Sequence, residues 1–402
     1  MTEIQTLKDI IEDGTWLLDQ KRKIVEREIA KKLLERSKFE VVEVITGVRR
    51  AGKSTIMFWV GKLLKKQRKI VYYINFEDER FFPTREDLQN LSSLFQLNNS
   101  ILFIDEPQNM PNWEKWVRRM HDRNIKIYLT GSNSKLLGSE LASALGGRKK
   151  QHEVFPFSFP EYLKVKAKPN IPVDQKVRMF ERYLIEGGYP YPTISGDFSV
   201  LLDYRNDIIE KDVILRHKIR NVSEFRSLTR FILSNPGLYL SKRVVKNLLD
   251  ISHVTIRKYL DYLIEAYAVI AIEKFSYSQK EQIGNPKKVY PIDNGLLIKK
   301  KDYGKLIEAV IIQHIRRLTK AIYYWKDDRA REVDIYLPDC SLALQVVYEL
   351  NHNNIEREER ALDSIVKKYK VKPLIIYLYS EVKSKYPTMR VINFIENLEK
   401  LI

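Results

Sequence analysis

Cysteine is almost absent from this chain of 402 residues, in which only Cys340 is present. A single cysteine excludes an internal disulfide and a zinc site built from several thiolates, and the six histidines show no paired metal spacing. The sequence also lacks repeats, apolar runs long enough to cross a membrane, and the basic and apolar regions of a signal peptide. These absences predict a cytoplasmic protein without membrane contact, in which any metal is bound by oxygen atoms.

The sequence has fewer acidic than basic residues. The chain has 70 Lys and Arg residues against 52 Asp and Glu residues, which gives a formal net charge of +18. Such an excess attracts polyanions and favours DNA as a partner. The alternative explanation is the highly charged surface of a thermophilic protein, because the chain is rich in Lys, Ile and Tyr and poor in Gly.

A glycine-rich loop lies between an apolar run, residues 41–45, and a helical stretch. Its sequence, GVRRAGKS, matches the phosphate-loop pattern G-x-x-x-x-G-K-[ST]. The glycines let backbone N–H groups point at phosphate oxygens, and the positive end of the following helix adds to the attraction. We expect Lys53 to reach the β- and γ-phosphates of ATP and the Ser54 hydroxyl to bind Mg²⁺. The predicted ATP-binding loop consists of Gly47, Val48, Arg49, Arg50, Ala51, Gly52, Lys53, Ser54 and Thr55.

A second motif, which ends in acidic residues, supports the prediction of an ATP-binding site. Residues 101–106, ILFIDE, form an apolar strand that ends in two carboxylates, the Walker B pattern. Asp105 is predicted to hold Mg²⁺, and Glu106 to orient and polarise the attacking water. A third strand ends in Thr130, Ser132 and Asn133, where a sheet's carboxyl edge meets its ligand, and each is a candidate sensor of the γ-phosphate.

Several segments in this order resemble the AAA+ class of P-loop ATPases, and within it a prokaryotic and archaeal family: GVRRAGKS, YYINFEDERF, FIDEPQNMPNWEKWVRRM, LTGSNSKLLGSELASALGGR and VFPFSFPEYL. The resemblance is dense over residues 40–165 and implies an α/β fold, with a RecA-like core followed by a helical lid. Hydrolysis in this class uses an arginine from a neighbouring subunit or from the lid. The family motif ends at Arg148, which is our first choice, and the alternatives are Arg118, Arg119 and Arg216.

Residues 239–275 predict a winged helix-turn-helix. A helix ends near Asp250, Ser252 can cap a second helix, and β-type runs follow at VIAIEKF and KKVYPI. In a DNA-binding module of this type the second helix lies in the major groove. The side chains predicted to reach DNA are His253, Thr255, Arg257 and Lys258. A rigid spacer or a protein-docking module is the alternative use of such a fold.

The resemblance extends to the last hundred residues as a restriction-endonuclease-like, or PD-(D/E)XK, domain. Active nucleases of this architecture bring together a helix acid, a strand Asp and a Glu-x-Lys on the next strand around Mg²⁺. By position, Glu308 matches the helix acid and Asp334 matches the strand Asp. On the next strand, Gln345 stands in place of the Glu and Val347 in place of the Lys. A valine neither donates a hydrogen bond nor carries charge, so the resemblance implies a vestigial site. A lysine or arginine that has migrated to the next helix is the alternative: Arg357, Arg360, Lys367 or Lys368.

Together these features predict four domains: an ATPase core at 1–160, a helical lid at 161–235, a winged helix at 236–300 and a nuclease-like domain at 301–402. The predicted function is a Mg²⁺-dependent ATPase that acts as a DNA-associated switch or motor, with a homo-oligomer as a candidate assembly. One alternative is a regulatory or signalling ATPase that acts through protein partners. Another is an ATP-dependent nuclease.

Overall fold

The computed structural model of the chain describes residues 2–20, 25–82, 84–96, 99–131, 144–241 and 251–402. They form two compact units, Met1–Phe155 with Glu265–Tyr267, and Pro156–Ile264 with Ala268–Ile402. No helix within the described ranges has both the length and the apolar character needed to cross a membrane.

The first unit is built on a parallel β-sheet. Its strands, in the order β2-β3-β4-β1-β5, pair in parallel throughout the described residues. The central strands β1 and β3 are buried at every position, as expected for a sheet covered on both faces. The strands are β1 Val42–Gly47, β2 Ile70–Asn75, β3 Ser100–Asp105, β4 Lys126–Gly131 and β5 Lys149–Val154; the helices are α1 Ile4–Leu17, α2 Glu28–Glu35, α3 Lys53–Lys66, α4 Arg85–Leu94 and α5 Trp113–His121, with 3₁₀ turns at Arg36–Lys38 and Pro107–Asn109.

The strand register places the carboxyl ends of three strands at one edge of this sheet. Thr46 of β1 is level with Gly131 of β4, and Asp105 of β3 is level with Thr130 of β4. A loop that leaves β1 and a carboxylate that ends β3 therefore meet at the same edge, which is where α/β sheets bind ligands.

Helix α5 shows how the sequence pattern covers the sheet. Trp113, Trp116, Val117 and Met120 are buried, and their spacing of three and four residues puts them on one face of the helix. The Trp116 ring packs 6.1 Å from the ring of Phe76, so the aromatic side chains of this unit form a continuous core with the strands.

Strand β1 carries a buried carboxylate. Glu43 of β1 is fully buried, and it contacts Arg36 at 2.9 Å, Lys126 at 3.0 Å and His152 at 2.6 Å. Burial raises the pKa of Glu43, but the hydrogen bonds from His152 and Arg36 and the charge of Lys126 outweigh it and lower the pKa to about 2. The charged form of this side chain therefore stabilises the unit.

The second unit combines helices with a mixed sheet, whose described strands follow the order β13-β12-β11-β10-β9-β7-β8-β6. Its strands are β6 Leu238–Tyr239, β7 Val269–Lys274, β8 Lys288–Pro291, β9 Tyr323–Lys326, β10 Glu332–Leu337, β11 Leu342–Leu350, β12 Lys372–Ser380 and β13 Thr388–Arg390. Its helices are α6 Phe159–Lys166, α7 Val173–Glu186, α8 Pro190–Ser195, α9 Leu201–Asp207, a π-helical segment Ile208–Leu215, α10 Val222–Ser234, α11 His253–Glu265, α12 Gln279–Gly284, α13 Tyr303–Ile315, α14 Ile355–Lys368, α15 Val391–Glu396 and α16 Leu398–Leu401, with 3₁₀ turns at Asn294–Leu296 and Pro338–Cys340.

The sheet of the second unit is continuous across the predicted boundary at residue 300. Strand β7, from the predicted winged helix, pairs in parallel with β9, from the predicted nuclease-like domain, through Glu273 and Tyr323. The structure therefore groups the last three predicted segments in one compact unit.

We expect Glu43→Gln to lower the free energy of unfolding by about 3 kcal/mol, because it leaves the Lys126 ammonium buried without its carboxylate. Chemical denaturation at pH 7 measures the change. In the wild type the contribution of Glu43 is complete above its ordinary pKa of 4.5, and it is lost as the pH falls through about 2. Glu35→Gln, at an exposed position, is the control, and equal stability of the two variants would contradict the prediction.

Candidate nucleotide-binding site

The loop between β1 and α3 has a backbone shape that requires glycine at two positions. Gly47 has φ +148°, and a Cβ on it would lie 2.1 Å from the carbonyl oxygen of Val154. Gly52, which precedes α3, has φ +94°, a conformation that other residues adopt only with strain. The loop thus turns tightly into the first turn of α3, where unpaired N–H groups favour an anion.

Lys53 is the first residue of α3 and is buried. Its ammonium donates hydrogen bonds to the carbonyl oxygens of Gly47 at 3.0 Å and Val48 at 3.1 Å. These bonds hold the positive charge at the loop that is predicted to bind phosphate.

Arg27 supports the loop, and sequence reasoning missed it. Its buried guanidinium donates to the carbonyl oxygen of Ala51 at 2.9 Å and to that of Phe155 at 2.8 Å. Arg27 lies far from both partners in sequence, and no local pattern around it indicates the contact.

Asp105, at the end of β3, is buried and accepts hydrogen bonds from three hydroxyl groups. Ser54 donates at 2.6 Å and Tyr73 at 2.7 Å, both to Oδ2, and Thr130 donates to Oδ1. A hydroxyl and a carboxylate oxygen side by side are ligand types that Mg²⁺ prefers, so Ser54 and Asp105 fit such an ion. Tyr73 was not predicted, because a tyrosine on an apolar strand is usually a residue of the hydrophobic core.

Glu106 follows Asp105 in a left-handed backbone conformation with φ +48°. Burial raises the pKa of its carboxyl group, and the charge of Lys53 opposes this rise without cancelling it. A carboxylate with a raised pKa is a better proton acceptor, which suits the predicted role of a general base. The amide Nε2 of Gln108 donates a hydrogen bond to Oε2 of Glu106, a contact that the sequence did not reveal.

Arg148 lies at the opposite edge of the sheet from the phosphate loop. Its carbonyl oxygen accepts from the N–H of Val42, the first residue of β1, whereas the loop leaves the other end of that strand. Six residues of strand separate the two edges by roughly 16 Å. The guanidinium forms a half-exposed ion pair with Asp122 at 3.1 Å, so the structure does not bring Arg148 to the loop of its own chain.

The structure describes only some of the remaining residues predicted for this site. Ser132 and Asn133 lie outside the described residues. Of the alternative arginines, Arg118 also pairs with Asp122, at 3.7 Å, and is exposed. Thr130, named with Ser132 and Asn133 as a candidate phosphate sensor, donates a hydrogen bond to Asp105.

Helix α11 carries the residues predicted to bind DNA. The hydroxyl of Ser252 accepts from the N–H of Thr255 at 3.2 Å, as predicted for a cap, while the helix expected before it lies outside the described residues. Strands β7 and β8 pair in antiparallel fashion as a wing would, and β6 adds to β8. Arg257 and Lys258 are exposed, His253 and Thr255 are half-buried, and Val254 and Asp261 are exposed beside them.

The predicted vestigial nuclease residues come together in the second unit. The N–H of Asp334 donates to Oε1 of Gln345 at 2.8 Å, and the ammonium of Lys288 lies 2.8 Å from Glu308 and 3.9 Å from Asp334. Gln345 in turn donates to Glu358 of α14 at 2.6 Å. Within the described ranges, no group of three or more His, Cys, Asp and Glu side chains is arranged to hold a metal ion.

Lys288 is a cation of this cluster that sequence reasoning did not name. It comes from β8, is almost fully buried, and also contacts Glu332 at 2.6 Å. Burial lowers its pKa, but the surrounding carboxylates outweigh this and raise the pKa well above the ordinary value. On α14, Arg357 pairs with Glu358, the same carboxylate that Gln345 contacts, whereas Arg360 pairs with Glu356 and Lys367 and Lys368 are exposed.

Comparison with known protein families gives two matches, and comparison with solved structures gives further similarities. A family model described as an AAA domain matches residues 40–163, and a second, described as a domain of unknown function (DUF8612), matches residues 177–304. In structure, the chain is similar to the replication initiator DnaA bound to AMPPCP and single-stranded DNA, with a TM-score of 0.33 and 14% identity over 62% of this chain and 91% of that one. It is also similar to AMPPCP-bound DnaA from Aquifex aeolicus, with a TM-score of 0.30 and 14% identity over 63% and 85% of the two chains.

Relatives in sequence are uncharacterized proteins. One from Haemophilus influenzae is 28% identical over 348 residues, which cover 79% of this chain and 85% of that protein. MJ1544 from Methanocaldococcus jannaschii is 34% identical over 383 residues, which cover 88% of this chain and 84% of that protein. The chain therefore belongs to the same family as the uncharacterized protein MJ1544, and its residues 40–163 match the model of an AAA domain.

Proposed function

We propose that the protein is a Mg²⁺-dependent ATPase, converting ATP and water to ADP and phosphate, that acts as a DNA-associated switch or motor. The observation that carries the proposal is the convergence of Lys53, Ser54, Asp105 and Glu106 at one edge of the sheet. A buried lysine, a hydroxyl and two carboxylates are the groups that phosphoryl transfer to water requires.

Each group has a separate task in this reaction. The N–H groups of the loop and the Lys53 ammonium bind and orient the phosphates, and Ser54 and Asp105 hold Mg²⁺. The ion, when bound, neutralises phosphate charge. Glu106 accepts the proton of the attacking water, and its burial favours this because it raises the pKa of the carboxyl group.

We assign any role of Arg148 in hydrolysis to the nucleotide of a neighbouring subunit. Its half-exposed guanidinium is at the far edge of the sheet from its own loop, where it is accessible to a second copy of the chain. An arginine supplied between subunits requires self-association, so this part of the proposal includes a homo-oligomer.

Charge supports the DNA part of the proposal. The net charge of +18 and the exposed Arg257 and Lys258 of α11 suit a phosphate backbone. Val254 is 76% exposed on the same helix, and Asp261 is exposed nearby, which favours the alternative of a regulatory ATPase that docks a protein. We place DNA first because the exposed residues described on α11 include two cations, Arg257 and Lys258, and one acid, Asp261.

Glu106→Gln should retain ATP binding and lower kcat by about a hundredfold or more, because it removes the proton acceptor and leaves the phosphate contacts intact. Lys53→Ala should instead weaken binding of ATP. A phosphate-release assay and titration with a fluorescent ATP analogue separate the two effects. Glu79→Gln, at an exposed position, is the control, and wild-type turnover by Lys53→Ala would refute the ATPase assignment.

Replacing Arg257 and Lys258 together by Ala should weaken DNA binding and reduce the salt dependence of the binding constant by about two counterions. Fluorescence anisotropy at several salt concentrations measures both quantities. The charge-matched control replaces Lys31 and Lys32, two exposed residues of α2. Equal affinity of both double variants would remove α11 from the DNA interface, and absence of binding by the wild type would leave protein docking as the function.

We propose that the acid cluster of the second unit stabilises the fold and does not cut DNA. The Lys288 ammonium lies directly against Glu308 and Glu332, and the Gln345 amide is bound to Glu358. Lys288→Met should therefore cost about 3 kcal/mol of stability, since the buried Glu308 then keeps only the half-exposed Lys305 as a cationic partner. Lys287→Met, at the neighbouring and more exposed lysine, is the control in thermal denaturation.

The same proposal expects no cleavage of linear, branched or single-stranded DNA in the presence of Mg²⁺ and ATP. Gel electrophoresis of these substrates provides the test. Cutting by the wild type that disappears in Asp334→Ala would show that the cluster is a nuclease site after all.

A further inference from the structure

The turn after Glu106 fixes the position of a glutamine beside the proposed base. Glu106 precedes the 3₁₀ turn Pro107–Asn109, and its carbonyl oxygen accepts from the N–H of Asn109 at 3.2 Å. The next residue, Met110, is buried in the core, so the turn is anchored at both ends. Gln108 therefore has little freedom relative to Glu106.

The orientation of the Gln108 amide follows from its partner. The amide group faces Oε2 of Glu106, and an ionised carboxylate accepts hydrogen bonds but donates none. The side facing Glu106 must then be the NH₂ group, so the amide oxygen, Oε1, points away from that carboxylate oxygen while staying within a few ångströms of it.

Oε1 of Gln108 is buried, and no donor among the described residues forms a hydrogen bond with it. Buried acceptors without a donor are rare because their desolvation is uncompensated. An acceptor of this kind beside a proposed general base suits a donor that arrives with the substrate. Water has two O–H groups and can donate one to each of two neighbouring acceptors.

We propose that Gln108 and Glu106 together bind the attacking water of the ATPase reaction, an inference that rests on the function proposed above. One O–H of the water donates to Oε1 of Gln108, and the other donates to the Glu106 carboxylate. With both protons engaged, a lone pair of the water oxygen is left to attack the γ-phosphorus.

The step balances without any further reactant. The water oxygen forms a bond to the γ-phosphorus, the bond from that phosphorus to the β–γ bridging oxygen breaks, and this oxygen leaves with ADP. One proton passes to Glu106 and is later returned to solvent. Gln108 exchanges no proton, and its task is to orient the water.

Gln108→Leu tests the proposal, because leucine is similar in size and has no polar atoms. We expect kcat to fall about tenfold to a hundredfold, with KM and the affinity for ADP within twofold of the wild type. Affinity for ADP with fluoroaluminate, which mimics the phosphoryl group in flight together with the bound water, should fall about tenfold. The melting temperature should change little, since the variant removes a buried acceptor without a donor but also the NH₂ group that donates to Glu106.

Asn109→Ala is the matched control, because it lies in the same turn with an exposed side chain, and it should leave all four quantities unchanged. If Gln108→Leu does not fold, Gln108→Ala is measured in the same way. A kcat within twofold of the wild type, or a loss of kcat that merely follows a lower melting temperature, would overturn the role of Gln108.

The ATPase mechanism and the inference about water binding can be refuted separately. No ATP hydrolysis by the wild type, or undiminished hydrolysis by Glu106→Gln, refutes the ATPase mechanism itself. Hydrolysis that depends on Glu106 but not on Gln108 refutes only the inference about water binding.

Discussion

The carboxylate of Asp105 joins three separate elements of the first unit. It receives hydroxyl groups from α3 through Ser54, from β2 through Tyr73 and from β4 through Thr130. Strand β3 lies between β2 and β4, so donors on both neighbouring strands reach the same side chain. A buried carboxylate needs such donors, and here they hold its orientation next to the phosphate loop. The loop, the acidic strand and the third strand end are thereby assembled into one site.

Local features of this site could be predicted from the sequence because their causes are local. The tight loop needs Gly47 and Gly52 for close approach and positive φ, and the spacing to Lys53 and Ser54 follows from the helix start. Partners that depend on strand order could not be predicted. The Tyr73 hydroxyl meets Asp105 only because β2 and β3 are neighbours in register, and the sequence alone does not give this order.

The position of Arg148 also depends on strand order and could not be predicted from the sequence. Its motif is local, but which edge of the sheet it occupies depends on the parallel pairing of β5 with β1. In the second unit, Glu308 and Asp334 could be identified by position, whereas Lys288 could not, because it comes from a segment predicted as a different domain. Strand β7 joins β9 in one sheet although β8 lies between them in sequence, and no periodicity indicates such a pairing.

Arg27 has a mechanical consequence beyond support of the loop. Its single guanidinium binds the carbonyl oxygens of Ala51, in the phosphate loop, and Phe155, the residue at which the chain leaves the first unit. The two carbonyl groups cannot move apart without the loss of a charge-assisted hydrogen bond. Gly47 adds a second constraint, because it pairs with Val154 and the carbonyl of Val154 occupies the space that a Cβ on residue 47 would need. A displacement of the phosphate loop is therefore coupled to the segment through which the chain leaves the first unit.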